Sequence, residues 1–392
     1  VLDLSTKPVV NILMEYTMRT NLNGACKILR STGLREHEVY PILNQIEKWI
    51  HNNGVEWTVG RLKEYKLGFV NFLAGKGYLP SASSWLKYDR NGPKGPFRSL
   101  TRMKKPHKAL SAFMVYSAFK AKSMTNSQRK KFLDGVNHRS PEFDEDLAHQ
   151  LLSSFKSLKT TKKCSFMPLR ALTGKQIRIP VYMQSDWDDE SGFTLKTGRN
   201  SISNILTTSK APGMEDWIRA RGRDCPDASD LYWRGETPRH MKYVGRIGFI
   251  QEPGFKMRSV ANPLPIYQLA LSEFGSLLYN NLRNIPEDGT FDQEKSIIEV
   301  QEYMRSGGEL VAFDLSSATD TFPAEYTFLL LDRWDDVNHH DLSLWKDICR
   351  GTWGSSIGDI SWKTGQPLGV FPSFAAFALT HHAIARSVTN GF

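Results

Sequence analysis

Cysteine is scarce in this sequence: four residues in 392, at Cys26, Cys164, Cys225 and Cys349. None belongs to a CxxC pair or sits at Cys/His ligand spacing. That argues against a zinc site and a disulfide framework and fits a reducing setting inside a cell. No uninterrupted apolar run reaches the roughly 20 residues of a membrane-spanning helix, and the N-terminus shows no signal-peptide core. Internal repeats and low-complexity tracts are missing too. Acidic residues are the minority sign: 41 Asp+Glu against 51 Lys+Arg give a net charge of +10. This balance favours a polyanionic partner such as nucleic acid, although a plain solvated basic surface would carry the same charge. Hydrophobic residues at 40% and charged residues at 23% are ordinary for a folded chain, which argues against disorder and a coiled coil. The first residue is Val1 rather than Met, as expected of a piece of a longer product.

What is present divides by texture. The length allows two or three units: a helical, basic region over 1–175, a mixed region over 176–307, and a third over 308–392. Apolar spacing of three and four predicts helices over Pro41–Ile50, Thr58–Leu73 and Ala109–Lys122. Basic residues cluster at Arg98, Arg102, Lys104, Lys105 and Lys108, at Arg129–Lys131, and from Lys156 to Lys163. The interleaved Phe113, Tyr116, Phe119 and Phe155 could stack on bases, but helical spacing assigns them to core. Strands are expected at Ile177–Met183 and Val244–Ile250.

Three segments carry chemistry. In Gly248–Pro263, a turn at Glu252-Pro253-Gly254 leads into a strand with Lys256 and Arg258 two residues apart. Period-two alternation puts both cations on one face, suited to a triphosphate; an ordinary hairpin with a basic face is the plainer reading. In Glu309–Pro323, an apolar strand is expected to deliver Asp314 at its end. A carboxylate there is a hard oxygen ligand for Mg²⁺. Asp320 follows, and Pro323 sits at the start of a helix over Tyr326–Leu331; capping by both aspartates is the plainer alternative. In Thr364–His382, a Gly/Pro-rich loop enters a helix near Pro372. Gly365 and Gly369 permit close backbone approach, and Ser373 on the first turn could bond a sugar or Asp320. His381 and His382 point about a hundred degrees apart on a helix and read as packing or capping residues.

The order and wording of these segments resemble motifs F, A and B of viral RNA-dependent RNA polymerases, nearest to the narnavirus, mitovirus and levivirus-like branch. The strings are Gln251-Glu-Pro-Gly-Phe-Lys-Met-Arg258, Phe291-Asp-Gln293, Asp314-Leu-Ser-Ser-Ala-Thr-Asp320, Gly365-Gln-Pro-Leu-Gly369 and Ala378-Leu-Thr-His-His382. They cover about residues 245–385, and the first 240 residues carry no motif. The resemblance implies an α+β fold, with right-hand polymerase fingers and a partial palm behind a helical N-terminal region. It also implies RNA template and product, NTPs, and Mg²⁺ or Mn²⁺ in two-metal nucleotidyl transfer. By the same resemblance Lys256 and Arg258 bind the triphosphate and Asp314 is the catalytic metal ligand. Asp320, Gly369 and Ser373 then select the ribose. Relatives often carry Asn where this chain has Phe377, so Phe377 receives no role.

The second metal carboxylate, normally on a Gly-Asp-Asp hairpin after motif B, is not found in the sequence. Asp335-Asp336 and Asp186-Trp-Asp-Asp-Glu190 read better as surface or cap residues. The chain is therefore expected to be inactive alone, completed by further sequence or by a second polypeptide carrying motif C. A host-cell location is expected, cytoplasmic or, by resemblance, mitochondrial. A reverse transcriptase-like palm and a non-catalytic RNA-binding protein are the rival readings.

Overall fold

The computed structural model of the chain describes residues 21–77, 88–89, 92–121, 123–140, 143–156, 209–210, 212–221, 223–224, 239–240 and 242–389. The expected strand at 177–183 and the acidic run at 186–190 lie outside them. By packing, the chain falls into two units: Val1–Arg129 with Phe249–Arg258, and Lys130–Gly248 with Ser259–Phe392.

The first unit is built on helices α1 (Glu36–Asn53) and α2 (Val55–Leu73). Val39, Ile42, Ile46 and Ile50 recur every three or four residues along α1, and all are buried. Val59, Leu62, Tyr65 and Phe69 do the same on α2. Gly54 between the helices has φ 84°, a conformation that favours glycine, so the chain breaks there and reverses. Phe97 enters the core as a ring stack, 5.4 Å from Trp49 and 4.7 Å from Tyr65. The helix expected over 109–122 is shorter. Pro106 opens α3 (Pro106–Phe113), which then tightens into a 3₁₀ turn over Met114–Ala118. Phe113 and Phe119 are buried in this unit, so both are core rather than free stacking platforms.

In the second unit, α4 (Asn126–Val136) and α5 (Glu145–Lys156) precede a short helix α6 (Met214–Arg221). Strands β1 (Gly245–Glu252) and β2 (Lys256–Pro263) are joined by three residues, which forces an antiparallel hairpin. Its far end, Phe249–Arg258, packs with the first unit. Helices α7 (Ser272–Leu282), α8 (Gln293–Arg305), α9 (Ala318–Thr321), α10 (Ala324–Asp332) and α11 (His339–Arg350) follow. Strand β3 (Trp353–Ser355) pairs parallel to β1, with Gly245 opposite Trp353, and gives the sheet order β2-β1-β3. Helix α12 (Ser373–Thr389) is the hub of the unit and packs on α5, α7 and α10. Its small residues Ala375, Ala376 and Ala383 are fully buried, which lets those helices approach closely. Trp345 seats in this core, its ring 5.2 Å from Phe328 and 5.9 Å from Phe274. Buried Arg221 ties α6 to Asp341 of α11 and Glu273 of α7.

One expected element is not formed. Residues 309–315 carry no strand pairing and run exposed to solvent. Apolar composition gives a strand its tendency, but a strand is stable only when a neighbour completes its hydrogen bonds.

Candidate functional site

At the hairpin tip the two cations fall on one face, as the alternation predicts. Both are held by a single carboxylate, Glu252: Arg258 Nε lies 2.5 Å and Lys256 Nζ 3.3 Å from its oxygens. Burial pushes the Glu252 carboxyl upward, but hydrogen bonds from Arg258 and Lys256 outweigh it and leave the group below the usual carboxylate range. The turn itself is strained. Phe255 has φ 58°, a left-handed conformation uncommon for a bulky residue. Three contacts hold it there. The Phe255 amide donates to the Phe119 carbonyl at 2.8 Å, Gln128 Nε2 donates to the Phe255 carbonyl at 2.7 Å, and the Phe255 side chain packs on the core of the first unit.

In the second unit, Asp314 stands exposed at the end of the unpaired segment. Around it Val311 is 75%, Phe313 87% and Leu315 53% exposed. The preceding helix α8 buries no residue, and its Ile297, Tyr303 and Met304 are also exposed. Ser317, with φ 52°, then turns the chain into α9. Among the described residues, Phe255 and Ser317 are the non-glycine residues at positive φ, one in each candidate motif. Strain of this kind persists only where surrounding contacts hold it, and it concentrates at functional sites.

Asp320 does not cap α9 from outside but lies inside it, mostly covered. Its carboxylate accepts a 2.8 Å hydrogen bond from Trp362 Nε1, and a Cβ on Gly135 would come within 3.3 Å of its own Cβ. Burial raises its pKa, with the Trp362 bond only partly opposing.

The loop from Thr364 to Ser373 is fastened to α9 and α10. Gln366 N donates to the Thr319 carbonyl at 2.7 Å, and Ala324 N to the Thr364 carbonyl at 3.0 Å. Arg350 reaches the Gly365 carbonyl at 2.7 Å and Glu325 at 2.5 Å. At Gly365 a Cβ would collide with the Thr319 and Asp320 carbonyls, so the close approach expected of this glycine is to α9. Gly369, at φ 131°, packs in the same manner on the Ala261 carbonyl of β2.

Ser373 is the hydroxyl expected to bond a sugar or Asp320. It is fully buried, and its Oγ accepts from Trp345 Nε1 at 3.1 Å. The first turn of α12 is directed into the core by the Ala375–Ala376 face, and the hydroxyl goes with it. Phe377 sits edge-on to Phe322 at 5.4 Å. His382 bonds Asp288 at 2.8 Å and His381 lies beside Phe377, which is the packing role expected of the pair. Asp292, in the string resembling a motif, caps α8 through the Lys295 amide at 2.9 Å. Asp336 accepts from Trp334 at 3.2 Å.

In the sequence Glu252 reads only as part of the turn, and Trp362 receives no role. Glu252 lies four residues from Lys256, a legible charge pairing; nothing local signals Trp362. Among the described residues, no group of three or more His, Cys, Asp or Glu side chains could hold a metal ion. Nor is any helix among them long and apolar enough to cross a membrane.

A family model described as mitovirus RNA-dependent RNA polymerase matches residues 196–390, the part containing all three motifs. Residues 196–390 are thus similar to mitovirus RNA-dependent RNA polymerase. The RNA-directed RNA polymerase of Cryphonectria parasitica mitovirus 1 is 30% identical over 152 residues, covering 38% of this chain and 18% of that protein. An uncharacterized mitochondrial protein of Arabidopsis thaliana is 35% identical over 109 residues, covering 26% of this chain and 42% of its own length. The chain thus spans less than half the length of either relative. No solved structure matches it.

Proposed function

We propose that this chain is the fingers and partial palm of a mitovirus-like RNA-directed RNA polymerase, transferring ribonucleotides on an RNA template. The observation that carries the reading is the order of the three motifs inside the matched region, each ending on a backbone held for a purpose. Among the described residues, the two at positive φ other than glycine fall in these motifs, and so do Gly365 and Gly369, where a Cβ would meet backbone. Lys256 and Arg258 present a pair of cations suited to triphosphate oxygens. Asp320 and Gly369 line the ribose side in this proposal, and Ser373 supports them by fixing Trp345 and the first turn of α12.

Asp314 is assigned as one ligand of the Mg²⁺ or Mn²⁺ ions of two-metal transfer. A single exposed carboxylate is an incomplete donor set. When bound, the ions would lower the charge cost of joining a 3′-hydroxyl to the α-phosphate as the α–β phosphoanhydride breaks and pyrophosphate leaves. We assign the completing carboxylate to a strand that pairs with 310–315, whether in further sequence or in a second polypeptide carrying motif C. The exposed Leu310, Val311, Phe313 and Leu315 support that assignment, because a sheet built on this segment would bring packed elements over its faces. The names of the two relatives favour a mitochondrial setting over the cytoplasm.

The test is nucleotide binding by the chain with and without Mg²⁺. Mg²⁺-dependent binding lost in Asp314→Ala supports the reading; RNA binding indifferent to both favours a non-catalytic RNA-binding protein. Full primer extension by the isolated chain would overturn the assignment of a missing carboxylate.

A further inference from the structure

The hairpin tip does not present its cations alone. Helix α2 of the motif-free N-terminal unit brings Lys63 to the same place. Its Nζ lies 5.6 Å from the centre of the Tyr116 ring. That ring backs the hairpin turn: a Cβ on Gly254 would come 3.2 Å from Tyr116 Cδ2 and 3.8 Å from Lys63 Cε. Partial burial, with repulsion from Lys256 and Lys66, holds the Lys63 ammonium below the usual lysine range. Among the described residues no carboxylate pairs with Lys63. Lys63 thus neighbours Lys66 and Lys256, while Glu252 is the carboxylate that pairs with Lys256 and Arg258.

Such an excess is unfavourable in the free protein, because like charges repel and an ammonium is partly desolvated. Two features keep the groups together all the same. The turn is fixed at Phe255, and α2 is fixed by its buried Val59, Leu62, Tyr65 and Phe69. The backbone that carries these side chains therefore cannot separate to relieve the repulsion. An under-neutralised cluster on an anchored backbone suits a polyanion, which supplies several acceptor oxygens where Glu252 supplies two.

We propose that Lys63 joins Lys256 and Arg258 in one polyphosphate seat, with Glu252 as the internal anion that an incoming triphosphate displaces. This rests on the reading of Lys256 and Arg258 as triphosphate ligands and extends it to a residue outside the matched region. A simpler role for Lys63, its methylene stem covering Tyr116, involves no charge.

The experiment is calorimetric titration of the full chain with inorganic tripolyphosphate at fixed ionic strength. Lys63→Met keeps the stem and removes the charge; Lys63→Arg restores the charge. Lys63→Met should weaken binding about tenfold, and Lys63→Arg should recover most of it. Glu252→Gln should tighten binding by about threefold or more, because the internal competitor is neutralised. Circular dichroism melts of each variant check folding, and Lys63 is exposed enough for the fold to be retained. Lys63→Met binding like the wild type, while Lys256→Met and Arg258→Met lose affinity, overturns the seat and leaves the triphosphate reading standing. Binding unaffected by Lys256→Met and Arg258→Met overturns that reading, and the seat with it. Weaker binding in Glu252→Gln shows that Glu252 props the cations and refutes its displacement.

Discussion

The loop at 364–373 and the segment at 309–315 make opposite use of this chain. The loop is bonded to α9, α10 and β2 through Gln366, Thr364, Gly365 and Leu368, with Arg350 spanning two of its carbonyls. Its two glycines sit where any side chain would collide with backbone. The 309–315 segment has an equally apolar sequence but no ladder, and Phe313 is 87% exposed. The first is finished within the chain, and the second is an unsatisfied edge. A loop can be completed by local turns and nearby helices, whereas a strand needs a neighbour that is distant in sequence or on another molecule.

Four measurements sharpen that contrast. The largest effect belongs to Asp314→Ala, expected to lower ribonucleotide incorporation by the complete polymerase at least about a hundredfold. Its thermal midpoint should stay unchanged, because the side chain touches nothing that stabilises the unit. Retained incorporation would remove Asp314 from the chemistry. Next comes Gly365→Ala, which forces a Cβ against the Thr319 and Asp320 carbonyls and should cost about 2–4 kcal/mol in chemical denaturation. A wild-type denaturation midpoint would show that the loop is looser than its bonds imply.

The third measurement is a pH series on Asp320→Asn. Burial raises the Asp320 pKa above the unfolded value of about 3.9, so its ionisation opposes folding as pH rises through the folded pKa. The Asn variant should melt higher than wild type at neutral pH and lose that advantage below about pH 3.5. An advantage that grows towards acid would contradict the burial of Asp320. The smallest effect is expected from Val311→Ser, within about 0.5 kcal/mol of wild type, against about 2–5 kcal/mol for Leu330→Ala in buried α10. A cost at Val311 comparable to that at Leu330 would mean the segment is already covered.

Much of the helical framework is legible in the sequence, because α1, α2 and α10 are written in a local period. The matched face of Lys256 and Arg258 is legible for the same reason, since alternation along a strand needs no knowledge of the partner. The resemblance of the region to a viral RNA polymerase was also readable from its motif strings, and the family match over 196–390 agrees with it. Contacts across the chain were not legible. Ser373 looks like an accessible hydroxyl until α12 turns its first residue towards Trp345. Asp320 looks like a cap until Trp362 and Gly135 enclose it. Lys63 looks like any helix lysine until the turn at Gly254 is laid beside Tyr116.

The sequence by itself determined which residue types stand where: Asp314, Asp320, Lys256, Arg258 and the glycines, in an order that resembles polymerase motifs. Tertiary structure decided which of them are available. It locked the glycine loop, covered Asp320 and Ser373, clamped both cations on Glu252 and left Asp314 bare. Side-chain chemistry and backbone periodicity are local properties, carried by neighbouring residues. Burial and charge pairing depend on which distant segments meet, and only folding brings those together.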